Sequence, residues 1–124
     1  LLILIGISLP EEKKKIMPGL LLLKNTSFST SGDIYQHLDI NGKRYSHIID
    51  PSTGLGITTQ RTVTFITENG TVSDWLSTAC SVLWIDKALA LVKQFKDAAI
   101  LITEIKGDHL IQKSSDNFKN YLKN

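Results

Sequence analysis

Two short segments carry the side chains best suited to chemistry in this chain of 124 residues. Residues 45–54 read Tyr-Ser-His-Ile-Ile-Asp-Pro-Ser-Thr-Gly, which places His47 and Asp50 just before a turn. Histidine is the side chain best suited to proton transfer near neutral pH, so His47 is a candidate general base. The alternative is that His47 only packs on a strand and Asp50 only caps the turn, since Asp-Pro often initiates turns.

The second segment contains Asp74 and Thr78, four residues apart in a stretch with helical spacing. Residues at i and i+4 share one face of a helix, so the carboxylate and the hydroxyl can face the same point. Oxygen ligands of this kind suit Mg²⁺, which usually keeps waters and shares substrate phosphates. The alternative is structural: Asp74 offsets the helix dipole in the first turn, and Thr78 bonds back to a carbonyl.

A third candidate is the run Thr30, Ser31 and Gly32, which we expect in a small-residue loop after a strand. Its hydroxyls and backbone N–H groups could contact a phosphate, and glycine lets a ligand approach the backbone. A simple turn is the alternative. We expect Trp75 and Trp84 in the hydrophobic core rather than in a cofactor-stacking surface.

Composition indicates an ordinary globular protein, and 124 residues make one domain at most. Hydrophobic residues make up 42% of the chain and charged residues 21%. The net charge of +2 is too small to indicate a nucleic-acid partner. Cys80 is the single cysteine, which excludes an internal disulfide, and its apolar neighbours predict that it is buried.

The pattern of apolar residues predicts an α+β fold in which two helices pack on an antiparallel-rich sheet. Asn41-Gly42 between two strand-like runs predicts a tight hairpin, because a type I′ turn needs positive φ at both positions. Thr71 or Ser73 is expected to cap the first helix. The predicted strands are 1–8, 19–24, 61–67, 98–105 and 109–112; the predicted helices are 72–84, 85–95 and 114–124; and 9–19 is a predicted loop.

In their order along the chain, these segments resemble the ApbE family of magnesium-dependent flavin transferases. That family has a Thr-Ser-Gly segment, a hairpin, a Tyr-Ser-His-Ile-Ile-Asp-Pro-x-x-Gly block, a strand and an Ala-Asp-x-x-x-Thr helix start. The matching residues here are 30–32, 41–44, 45–54, 63–66 and 74–78. Ser73 and Trp75 stand where the family prefers alanine, and residues 54–56 lack a proline often found there.

The resemblance implies an ApbE-like, T-fold-related domain that transfers the FMN half of FAD to a Thr or Ser hydroxyl of an acceptor protein and releases AMP. By that resemblance Asp74 and Thr78 bind Mg²⁺, His47 is the base, and Asp50 organises the same turn. Thr30, Ser31 and Gly32, together with His47 and Asp50, would contact FAD.

The family's domain is longer than this chain, so residues 1–124 are expected to be the C-terminal part of an incomplete domain. We therefore expect self-association, or pairing with the upstream half of the same domain, and little activity from the chain alone. Two alternatives stay open: an FAD pyrophosphatase, and a non-catalytic FAD-binding fragment. Many members of the family act in the cell envelope or periplasm, some as lipoproteins, but the sequence does not give the compartment.

Overall fold

The computed structural model describes residues 2–6, 20–32, 37–106 and 109–123. Their fold is α+β, as the sequence predicts. Ten strands, two helices and one 3₁₀ turn follow each other along these residues: β1 (Leu2–Gly6), β2 (Leu20–Lys24), β3 (Ser27–Gly32), β4 (His37–Ile40), β5 (Lys43–Ser46), β6 (Ile49–Asp50), β7 (Leu55–Gly56), β8 (Gln60–Thr67), α1 (Gly70–Val82), α2 (Ile85–Val92), β9 (Ala99–Lys106), β10 (His109–Ser114) and the 3₁₀ turn Phe118–Tyr121.

A four-stranded antiparallel sheet in the order β10-β9-β8-β3 forms the centre of the fold. The strand predicted for residues 61–67 is confirmed as most of β8, and all seven of these residues are buried although polar and apolar types alternate among them. The cause is that both faces of the sheet are covered, one by the helices and the other by β2 and residues near the 3₁₀ turn. A strand covered on both faces is buried along its whole length.

The helix-side core joins the sheet to α1 and α2. Leu76 and Cys80 on α1 and Ala88 and Val92 on α2 are buried, and the apolar spacing of both helices produces this inner face. The burial predicted for Cys80 is confirmed. The sheet contributes Val63, Phe65, Ala98, Ile100 and Ile102.

The opposite face of the sheet has its own core. Leu21 and Leu23 of β2 pack there with Phe118, against sheet residues Ile66, Ala99 and Leu101. The backbone continues this contact, because Lys123 N–H donates to the Leu20 carbonyl at 2.8 Å, and Leu122 forms a bridge with Leu21. Segments that are far apart in sequence therefore close this face together.

Local turn chemistry explains the β4–β5 hairpin. Asn41 has φ of 51° and Gly42 has φ of 76°, which are the left-handed values that a type I′ turn requires. The pairing runs from His37 opposite Ser46 to Ile40 opposite Lys43. The predicted hairpin is therefore confirmed.

Several other expectations need correction. The terminal helix predicted for 114–124 is only the 3₁₀ turn, preceded by the end of β10. Trp75 and Trp84 are not core residues, since 50% and 73% of each is exposed. Among the described residues, no helix has the length and apolar character needed to cross a membrane. The predicted loop 9–19 and part of the predicted strand 1–8 lie outside the described residues.

Candidate functional site

His47 lies in a short segment whose two neighbours are held by hydrogen bonds. Ser46 N–H donates to the Ile57 carbonyl at 2.8 Å, and Ile57 N–H donates to the Ile48 carbonyl at 2.9 Å. Ile48 N–H also donates to the Ser46 hydroxyl at 3.1 Å. Ser46 and Ile48 are buried, whereas His47 between them is exposed. The backbone at His47 is thus fixed while its side chain faces the surface.

Asp50 organises the turn that follows. Its Oδ1 accepts hydrogen bonds from Ser52 N–H at 2.8 Å and from the Ser52 hydroxyl at 2.7 Å. Its carbonyl accepts one from Gly54 N–H at 2.8 Å, and Gly54 adopts φ of 71°, which few other residues tolerate. The hydroxyl of Ser52, and then its N–H, hold the pKa of Asp50 below its usual value. Asp50 is therefore ionised at neutral pH.

Asp74 and Thr78 share one face of α1, as the spacing predicts, and both are exposed. Asp74 is not in the first turn: it is the fifth residue of the helix, because α1 begins at Gly70. The expected cap was also wrong, since Asn69 caps α1 and accepts hydrogen bonds from the N–H groups of Thr71 and Val72. The Thr78 hydroxyl donates a long hydrogen bond of 3.4 Å to the Asp74 carbonyl, which is the back-bond that the structural alternative predicts.

The donor set on this face fits a hard cation only in part. Two oxygen ligands from one helix match a site at which Mg²⁺ keeps waters and takes substrate phosphates. Within the described residues, no group of three or more His, Cys, Asp or Glu side chains could hold a metal by itself.

Thr30, Ser31 and Gly32 form the end of β3 rather than the loop we expected. Their positions are paired in register with Thr64, Val63 and Thr62 of β8. A Cβ on Gly32 would lie 3.1 Å from the Thr62 hydroxyl, so the space beside this glycine is already used by the neighbouring strand. Within the described part of the chain, β3 is an edge strand of its sheet.

A serine contact fixes α1 beside β3. The Ser29 and Ser73 hydroxyls are 2.8 Å apart, and Ser73 also donates to the Gly70 carbonyl. Asp74 directly follows Ser73, and Thr78 directly follows Ser77. Asp74 and Thr78 therefore lie next to the face of α1 that contacts β3. The sequence-predicted residues of β3 and α1 are therefore on neighbouring elements.

Arg61 and Glu104 form a buried ion pair that the sequence reasoning missed. The Arg61 Nη2 and Glu104 Oε2 atoms are 2.6 Å apart, and the side chains are 6% and 3% exposed. Arg61 Nη1 also donates to the carbonyls of Cys80, Ser81 and Leu83 at the end of α1. A signal was present in the sequence: Arg61 lies two residues before Val63, on the strand face that should be apolar.

Residues of the segment that carries His47 and Asp50 line two cavities. One, of about 420 Å³, extends from Asp50 to the end of α1 and to Trp84. The other, of about 670 Å³, is an open apolar groove that includes His47. Asp74 and Thr78 line neither cavity. Asp50 therefore lines the first cavity and His47 the second, while Asp74 and Thr78 share one face of α1.

Comparisons with known proteins match most of this chain to one family. The ApbE family matches residues 3–102. The FAD:protein FMN transferase of Escherichia coli K12 is 31% identical over 119 residues, which are 95% of this chain and 34% of that protein. The FAD:protein FMN transferase of Buchnera aphidicola is 33% identical over 122 residues, which are 98% of this chain and 36% of that protein.

Solved structures give the same result for the fold. The flavinyl transferase ApbE of Pseudomonas stutzeri superposes with a TM-score of 0.74 at 30% identity, over 96% of this chain and 36% of that one. The apbe protein of Thermotoga maritima has a TM-score of 0.78 at 29% identity, over 99% of this chain and 39% of that one. The chain therefore spans little more than a third of the length of these relatives.

Proposed function

Because this chain belongs to the ApbE family, we propose that it is the part of a flavin transferase that supplies the catalytic base and a magnesium site. In the proposed reaction, a Thr or Ser hydroxyl of an acceptor protein attacks the phosphorus of the FMN half of FAD. A new O–P bond forms, the pyrophosphate bond breaks, and AMP leaves. The two relatives described above are FAD:protein FMN transferases.

The observation that carries this proposal is the fixed, exposed position of His47. Its neighbours Ser46 and Ile48 are anchored to Ile57, so the imidazole can meet a substrate without a change in the backbone. In the proposal, His47 takes the proton from the attacking hydroxyl, which is the role of a general base. Asp50 holds the turn through Ser52 and keeps a negative charge beside it.

Asp74 and Thr78 are the proposed ligands for Mg²⁺, with waters and the FAD phosphates completing the coordination. When bound, the cation would neutralise charge that develops on the phosphate oxygens. Ser73, hydrogen-bonded to Ser29, fixes the helix position from which these two side chains extend. Thr30 at the exposed edge of β3 and its neighbours Ser31 and Gly32 are the proposed FAD contacts on that side.

The test of the base is a flavinylation assay on a complete flavin transferase domain that contains this chain. FAD, Mg²⁺ and an acceptor protein are incubated, and covalent flavin is detected by fluorescence on a denaturing gel. We expect His47→Asn to lower the transfer rate by about 10²–10⁴-fold. His109→Asn, at an exposed histidine on β10, is the matched control and should leave the rate unchanged. Equal rates for both variants would refute the role of His47.

The metal ligands are tested in the same assay by varying Mg²⁺. Asp74→Asn and Thr78→Val should raise the Mg²⁺ concentration needed for transfer, the first more strongly because it removes the carboxylate. Asp116→Asn changes an exposed carboxylate on another segment and serves as the control. An unchanged Mg²⁺ requirement in Asp74→Asn would contradict the metal assignment. Release of free FMN without acceptor labelling would instead indicate FAD hydrolysis.

A further inference from the structure

The proposed base lies in an apolar groove to which the reaction above gives no role. We propose that this groove holds the acceptor segment, and that it selects a Thr or Ser whose neighbours in sequence are aliphatic. We call it the His47 groove. Its volume is about 670 Å³, and Leu38, Ile40, Ile49 and Leu55 line it together with His47. The inference rests on the proposed function, because it names the kind of acceptor that this reaction would take.

The aliphatic side chains of the His47 groove are exposed. Leu38, Ile40, Ile49 and Leu55 are each between 47% and 62% exposed. They come from three strands, since β4 carries Leu38 and Ile40, β6 carries Ile49 and β7 carries Leu55. Single exposed apolar residues are common on protein surfaces, whereas a group of them around one groove marks a surface that binds another molecule.

His47 determines which molecule this surface can take. A general base must come within about 2.6–3.2 Å of the hydroxyl whose proton it removes. Because His47 lines the groove and is exposed, the attacking Thr or Ser must enter the groove, and its neighbours in sequence then meet the aliphatic walls. The chain spans little more than a third of its relatives' length, but a further segment that covered this groove would also shut the hydroxyl out from His47.

The lining determines the character of the acceptor. Among the described residues that line the His47 groove, none is Asp, Glu, Lys or Arg. A charged residue beside the acceptor hydroxyl would lose water here without gaining a partner, which is unfavourable. A Cβ on Gly54 would meet nothing within 4 Å, so the groove is open at this residue. An uncharged, aliphatic segment therefore fits the groove best.

The first experiment compares two peptides as acceptors for a complete flavin transferase domain that contains this chain. Each peptide has one threonine, which is flanked by leucines in the first peptide and by glutamates in the second. With FAD and Mg²⁺, we expect kcat/KM for the leucine peptide to be about 10- to 200-fold higher, the usual discrimination of an apolar pocket. Equal labelling of the two peptides, or labelling of the acceptor protein but of neither peptide, would overturn the proposal.

The second experiment places a positive charge in the groove. Ile49→Lys and Leu38→Lys should each raise the KM for the leucine peptide by about 5- to 30-fold and leave the KM for FAD unchanged. Each should also shift the preference towards the glutamate peptide, which a merely damaged fold would not do. Leu20→Lys is the matched control, because Leu20 is an exposed aliphatic residue on β2, and it should keep the parental preference.

Two other occupants of the His47 groove would give different results. If the groove held the flavin ring, Ile49→Lys would raise the KM for FAD. If another part of the complete domain covered the groove, Ile49→Lys would lower the free energy of unfolding of that domain and leave the preference between the peptides unchanged. Either result would overturn the proposal.

Failure of this inference can be told apart from failure of the proposed function. If the complete domain labels its acceptor protein but Ile49→Lys leaves the preference between the peptides unchanged, the groove assignment is wrong and the function stands. If the domain labels no acceptor and releases only free FMN, the proposed transfer is itself wrong, and the groove assignment falls with it.

Discussion

Arg61 and Glu104 lie directly opposite each other on neighbouring strands, and their side chains form an ion pair of 2.6 Å inside the protein. Because Arg61 also donates to carbonyls at the end of α1, the pair connects the central sheet to that helix. Cations near the C-terminus of a helix are stabilising, since they meet the negative end of the helix dipole. The last turn of α1 is therefore held by a side chain from the sheet.

Removal of Arg61 should be strongly destabilising. Arg61→Met leaves Glu104 buried without its partner, and breaking such a pair typically costs about 3–5 kcal/mol. The double variant Arg61→Met/Glu104→Met should recover much of this loss, because it removes both buried charges. Urea denaturation would measure the free energy of unfolding, with Lys119→Met at an exposed position of the 3₁₀ turn as the control. A double variant no more stable than Arg61→Met would argue that the bonds to α1 dominate.

Loss of the Asn69 cap should weaken the start of α1. Its side chain accepts hydrogen bonds from Thr71 N–H at 3.0 Å and from Val72 N–H at 3.2 Å. Asn69→Ala is expected to lower the free energy of unfolding by about 0.5–2 kcal/mol. Asn120→Ala, at an exposed position of the 3₁₀ turn, should change it by much less. Equal effects of the two variants would show that Asn69 does not act as the cap.

Burial of Cys80 should make the stability depend on alkaline pH. Burial raises the pKa of its thiol from 9.0 to about 11, although the nearby Arg61 lowers it in part. The unfolded chain loses this proton near pH 9, whereas the folded chain retains it to about pH 11. The thiol therefore contributes fully to stability below pH 9, and this contribution is lost as the pH rises towards 11. Denaturation at pH 8 and at pH 10 should show that the free energy of unfolding falls less between these pH values in Cys80→Ala than in the parent.

Gly56 has no space for a side chain. A Cβ at this position would lie 2.2 Å from the Ser46 carbonyl oxygen, so the backbone would have to move. Gly56→Ala should therefore loosen the contact of β5 with Ile57 and disturb His47, which follows Ser46. We expect faster proteolytic cleavage within residues 45–57 and a lower transfer rate. Gly42→Ala is a useful comparison, since a Cβ there meets nothing within 4 Å, but its φ of 76° is strained for alanine.

Local signals predicted much of the fold. Asn41-Gly42 identified the hairpin, and the apolar spacing identified both helices and the strands β8 and β9. These features depend on neighbouring residues, so a single sequence contains them. The segment 30–32 was harder, because small polar residues are typical of turns, and only pairing with β8 makes it a strand. The same limit applies to Arg61, whose partner is 43 positions away.

The candidate site was predictable in its parts but not in its surroundings. The sequence indicated the residue pairs of the turn and of α1. Asp74 and Thr78 share one face of α1, whereas His47 lies between β5 and β6 and Asp50 ends β6. The sequence could not indicate the cavity of about 420 Å³, because that cavity forms where the turn after Asp50 meets the end of α1. Trp84 was misassigned for a related reason: helical spacing placed it on the inner face, but α1 ends at Val82 before reaching it.

The second core face has a consequence for the order of folding during synthesis. Leu21 enters that face from the early part of the chain, and Phe118 enters it from the late part. The contacts of Leu20 and Leu21 with Lys123 and Leu122 close a loop of about a hundred residues. The helix side of the sheet can form earlier, but Ile66 and Leu101 stay only partly covered until residues near 118 leave the ribosome. A nascent chain stalled before Phe118 should therefore expose this face to chaperones.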